Sequence, residues 1–109
     1  MQLVREAMFG LGNEEGLLFF PEECETIAVN VVQIFSGQKT EQASHPDEEE
    51  VYTVLAGKGT VYLNGVPYSV TKGSVVYIPR NTEHIVEGIS EEPLTYVCVA
   101  NWPDIVPAE

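Results

Sequence analysis

The stretch GQKTEQASHPDEEEVYTVLAG, residues 37–57, decides the fold of this chain. It opens and closes on glycine and carries His45 in a polar half. At Glu50 it changes into Val51-Tyr52-Thr53-Val54-Leu55, β-branched and aromatic residues with the character of a strand. The chain has one other histidine, His84, and it lies in a second stretch of the same kind, GSVVYIPRNTEHIVEG, residues 73–88. Two imidazoles and one carboxylate, Glu50, on a rigid β scaffold are a candidate site for a divalent transition metal. Glu48 and Glu49 are the adjacent alternatives to Glu50.

Outward from these stretches the same pattern recurs. Short β-rich runs cover Thr26–Phe35, Glu50–Leu55, Thr60–Leu63, Val66–Val70, Val75–Ile78, Glu83–Glu87 and Leu94–Ala100, each closed by turn residues. Asn64-Gly65 between two of them is a strong hairpin signal, because both residues tolerate the positive φ of a type I′ turn. No stretch reads as a long amphipathic helix. Many short strands at this spacing predict an all-β antiparallel sandwich or barrel.

The chain is 109 residues long, which suits one domain. Residues 26–100 are expected to form the barrel, with an N-terminal arm over 1–25 and an extended tail over 101–109. Leu17-Leu18-Phe19-Phe20 is too apolar to be left exposed, and is expected to pack on the barrel or pair with a second subunit. Seventeen acids against five bases give a formal charge of -12. Nucleic-acid backbones and anionic membrane surfaces repel such a chain, so neither is expected as a partner. No apolar run approaches the roughly 20 residues that span a bilayer. The first ten residues, with Arg5 and Glu6, lack the core of a signal peptide, so the expected location is cytoplasmic. Cys24 and Cys98 lack metal-binding or redox spacing. Cys98, in the apolar run Leu94–Ala100, reads as a small buried hydrophobe.

The two stretches around the histidines resemble the motifs of the cupin superfamily, small jelly-roll barrels. The first cupin motif runs G-x5-H-x-H-x3/4-E-x6-G. Gly37, His45, Glu50 and Gly57 keep every spacing, and Ala43 stands where the first histidine belongs. The second runs G-x5-P-x-G-x2-H-x3-N. Gly73, Pro79 and His84 match, Asn81 replaces the middle glycine and Gly88 the final asparagine. The resemblance covers about half of the chain. It implies an antiparallel double-stranded β-helix, or jelly-roll barrel, with a metal held by His45, Glu50 and His84. Iron, manganese, zinc and nickel are all compatible with that donor set.

Strand phase puts Tyr52 and Val54 on the face of Glu50, and Val86 on the face of His84. Gln42, Ala43, Tyr52, Val54, Tyr77 and Val86 are the candidate pocket lining, and a small molecule is the expected ligand. Gln42 or Glu41 are candidate substitutes for the missing ligand. Family activities include dioxygenases, isomerases, epimerases and decarboxylases. The competing class is a metal-free binding cupin, a sensor or storage protein in which the histidines hydrogen-bond a ligand. Arg5, Lys39, Lys58, Lys72 and Arg80 are the only cations, which disfavours a phosphorylated ligand. The resemblance also implies a homodimer.

Overall fold

The structure is a computed structural model that describes residues 3, 5 and 14–104, and the side chains of residues 14–18 are not part of the description. The expected tail beyond residue 104 and most of the expected arm lie outside the described residues. Among the described residues eight strands follow one another: β1 (Glu14–Phe19), β2 (Ile27–Ile34), β3 (Glu49–Ala56), β4 (Lys58–Leu63), β5 (Val66–Thr71), β6 (Val75–Ile78), β7 (His84–Gly88) and β8 (Leu94–Asn101). A single 3₁₀ turn at Pro21–Glu23 is the only helical element among the described residues. Among the described residues no helix is long and apolar enough to cross a membrane.

The strands form two antiparallel sheets, one in the order β1-β2-β8-β3-β6 and the other β5-β4-β7. This is the expected all-β jelly-roll architecture. Leu17 and Phe19 pair with Asn30 and Val29 of the same chain, so β1 closes one edge of the larger sheet. Between the sheets lies a core whose most deeply buried side chains are Val61, Ile78, Val86 and Leu94. Each such side chain contributes about 1.5–3 kcal/mol through removal from water. Alternation along β3 supplies this core: Glu50, Tyr52 and Val54 are buried, whereas Val51 and Leu55 are exposed.

The turns follow from residue type. Asn64 and Gly65 have φ of 49° and 80°, as a type I′ hairpin requires. Asn81, where the motif has glycine, has φ of 59°. Asparagine is among the residues that best tolerate that left-handed conformation. Gly57 has φ of 77°, and a Cβ there would stand 2.4 Å from the Pro93 carbonyl oxygen. The chain can therefore turn from β3 into β4 only through glycine. The expected gap before Thr60 is absent, since β4 starts at Lys58 and runs through Gly59, which pairs with Gly88.

Candidate metal centre

His45, Glu50 and His84 converge. One donor atom from each lies within 4.8 Å of the others. Three elements bring them together. Glu50 sits near the start of β3, on the inward phase. His84 opens β7, also inward. His45 lies in the loop before β3, and its carbonyl accepts the Asn81 amide at 2.8 Å, which ties that loop to the turn before His84. Glu50 and His84 are 7% and 6% exposed. The side chain of His45 is 38% exposed, so the site opens on the His45 side.

Each buried donor is oriented from behind. Nδ1 of His84 lies 3.0 Å from the Thr82 carbonyl. A carbonyl can only accept, so Nδ1 is the donor, and in the neutral ring the Nε2 lone pair then faces the site. Nε2 of His84 is 3.3 Å from Oε1 of Glu50, and Nε2 of His45 is 3.8 Å from the same oxygen. Oε2 of Glu50 accepts the Tyr52 hydroxyl at 3.2 Å and the Cys98 thiol at 3.0 Å. While His84 is neutral with its proton on Nδ1, Oε1 is buried without a hydrogen-bond partner. With the proton of His84 on Nδ1, two lone pairs face one another at 3.3 Å in a dry setting, and a cation between them removes the repulsion. Ligands about 2.1 Å from a metal stand roughly 3–3.5 Å apart. The His84–Glu50 pair, at 3.3 Å, meets this spacing, and Nε2 of the more exposed His45 stands 3.8 Å from the same oxygen.

Electrostatics shows the same demand. When His84 is protonated its Nε2 also carries a proton, and hydrogen bonding from it to Glu50 raises the His84 pKa above the ordinary 6.5, against the opposing effect of burial. Burial pushes the Glu50 pKa up, but the bonds from His84 and Cys98 and the two histidine charges outweigh it and bring the carboxyl below 4.5. A proton on His84 thus fills the role a metal ion would take. Burial raises the Glu48 carboxyl above 4.5, with the charge of Glu50 adding to it. Oε2 of Glu48 stands 3.6 Å from Nδ1 of His45, behind that imidazole rather than beside Glu50 as a ligand.

The remaining sequence candidates divide. Ala43 forms an antiparallel bridge with His84, each amide bonded to the other's carbonyl. Tyr52 is buried, with its ring 4.6 Å from that of Tyr96 and edge-on to His84. Val54 and Val86 belong to the apolar core. Tyr77 faces outward. Its side chain is 55% exposed, its register partner Val51 is exposed too, and its hydroxyl bonds Glu49. Ile78 takes the inward phase of β6, which turns Tyr77 to the outside. Gln42 is exposed and borders a cavity of about 130 Å³ with Tyr62, Gly65, Glu83, His84 and Ile85. Sequence reasoning missed Cys98 and Thr82 as partners of the site. The inward phase of Cys98 was legible, but its position beside a carboxylate 48 residues away was not.

The cupin domain model matches residues 30–100, which contain all three converging residues. The chain belongs to the cupin family. The cupin is 34% identical over 79 residues to an uncharacterized protein of Methanocaldococcus jannaschii. That match covers 72% of this chain and 62% of the relative, so the chain spans less than two thirds of the relative's length. Among solved structures, a conserved double-stranded β-helix protein of Klebsiella pneumoniae superimposes with a TM-score of 0.81 at 15% identity, over 100% of each chain. A predicted oxalate decarboxylase of Thermotoga maritima gives 0.77 at 21% identity, over 83% of this cupin and 80% of that protein. At such identities these structures establish the fold alone.

Proposed function

We propose that this cupin holds a divalent transition metal through His45, Glu50 and His84 and uses it to bind or transform a small oxygen-rich molecule at the barrel mouth. The observation that carries this is the buried, unpartnered Oε1 of Glu50 facing two imidazole nitrogens. Two histidines and one carboxylate suit iron, manganese, zinc or nickel and leave positions for exogenous ligands. A bound metal supplies Lewis acidity or oxygen activation, which makes a dioxygenase or isomerase the leading enzyme classes. The chain's own groups supply the rest. Thr82 fixes the His84 tautomer, Glu48 backs His45, and Tyr52, Tyr96 and Val86 close the floor against water.

The ligand is neutral or weakly anionic. Arg80, the cation nearest in sequence, is held 2.8 Å from Asp104, and Glu48 adds negative charge beside His45. The test is metal content by mass spectrometry on protein purified without a histidine tag, beside His84→Ala. Near-stoichiometric metal in the native protein and none in the variant supports the reading. No uptake from iron, manganese, zinc or nickel would leave a metal-free binding cupin, the reading that Ala43 favours.

A homodimer is part of the same proposal. Val51, Val75 and Tyr77 are exposed together on the outward face of β3 and β6. Two copies that each carry a net charge of -12 approach best through a face where apolar side chains outnumber carboxylates. Sedimentation showing a monomer at micromolar concentration would remove the dimer.

A further inference from the structure

We propose that Cys98 and Tyr52 are positioning residues that hold one oxygen of Glu50 so that only the other is offered to the metal. The proposal rests on the metal reading above and adds two residues outside the ligand set. Tyr52 and Cys98 are direct register partners across β3 and β8, and Glu50 pairs with Ala100 one inward step along. Glu50 and Cys98 are therefore diagonal neighbours on the buried face, within reach of one another. Both donors converge on the same atom, the hydroxyl at 3.2 Å and the thiol at 3.0 Å from Oε2. The other oxygen, Oε1, is buried, takes no hydrogen bond while His84 is neutral, and faces both imidazoles.

This asymmetry has a chemical consequence. A carboxylate free to rotate can chelate a cation through both oxygens. Two donors fixed on Oε2 withhold it, so Glu50 ligates through Oε1 alone and one further coordination position stays available to a substrate. The Tyr52 hydroxyl is buried beside the carboxylate it bonds. The Cys98 side chain is buried beneath the site, where a carboxylate acceptor makes a weak thiol donor stronger through charge.

The test uses the full chain and four variants: Cys98→Ser, Cys98→Val, Tyr52→Phe, and Cys98→Val with Tyr52→Phe. Zinc affinity is read by competition with a chromophoric chelator, and the splitting of the carboxylate stretches by infrared difference spectroscopy. Serine keeps a donor at position 98, whereas valine keeps apolar bulk without one. The expected result is affinity within about threefold of native for Cys98→Ser. Loss of supporting hydrogen bonds to a ligand typically weakens binding by about 10- to 100-fold, expected here for Cys98→Val and Tyr52→Phe. The double variant should show a narrower splitting as Glu50 turns bidentate. A packing role alone would spare Cys98→Val, and that outcome, or an unchanged splitting in the double variant, would overturn the clamp.

A metal-free readout separates this proposal from the one it rests on. In a Cys24→Ser background, the S–H stretch of Cys98 should move to higher frequency when Glu50→Gln removes the charged acceptor. That shift without zinc binding would overturn the metal reading and leave the thiol contact standing. Zinc binding with an unmoved S–H band would overturn the clamp instead.

Discussion

Restoring an imidazole at position 43 is predicted to tighten zinc binding by one to two orders of magnitude. Ala43 and His84 exchange both backbone hydrogen bonds, at 3.2 and 2.9 Å. In such a pair the Cα atoms are about 5.5 Å apart and the two side chains share a face. Because His84 points inward to Glu50, so does the Cβ of residue 43, and an imidazole there reaches the same point. Four-ligand structural zinc sites release about 10–16 kcal/mol, or roughly 3 kcal/mol per ligand. Ordering the new side chain costs about 1 kcal/mol. The remaining ~2 kcal/mol corresponds to roughly thirtyfold at 1.4 kcal/mol per decade. Competition titration of Ala43→His against native protein reads the change directly, with circular dichroism confirming the fold. A folded Ala43→His variant with native affinity would refute the placement of residue 43 on the triad's face.

Glu50→Gln should weaken zinc binding at least a hundredfold, and in the metal-free protein should let the His84 pKa, followed by proton NMR, fall toward 6.5; an unmoved His84 titration would show that the pair is not coupled. The raised His84 pKa contributes stability that is complete below 6.5 and lost as pH rises through the folded value, while the lowered Glu50 pKa contributes stability that is complete above 4.5 and lost as pH falls through the folded value. Metal-free protein should therefore gain most from this pair between pH 4.5 and 6.5, and thermal denaturation in chelator with no difference between native and Glu50→Gln across that window would contradict it. Gly57→Ala should destabilise by more than about 2 kcal/mol in urea, from a positive φ and a Cβ against the Pro93 carbonyl. Ile78→Ala, in the core, should cost about 2–5 kcal/mol by the same measurement.

Much of the barrel was legible because its information is local. Asn64-Gly65 specifies its own turn, and the alternation of Glu50, Tyr52 and Val54 specifies which face of β3 is buried. The convergence of His45, Glu50 and His84 was legible only through the spacing of two motifs, since nothing local relates residues 39 positions apart. The inward face of β6 was not legible, because a four-residue strand of mixed apolar character does not say which of its faces turns inward. The role of Cys98 was hidden for a different reason. Its partner is set by the register of β3 against β8, a property of the assembled sheet, and a buried thiol looks the same in sequence whether it packs or donates.

The most direct measurement is a crystal structure of tag-free protein soaked with cobalt, with data collected on either side of the cobalt absorption edge. An anomalous peak between Oε1 of Glu50 and Nε2 of His45 and His84, absent from Glu50→Gln crystals, is the predicted result. No peak there, or a peak held by other side chains at millimolar cobalt, would contradict a metal centre at these three residues.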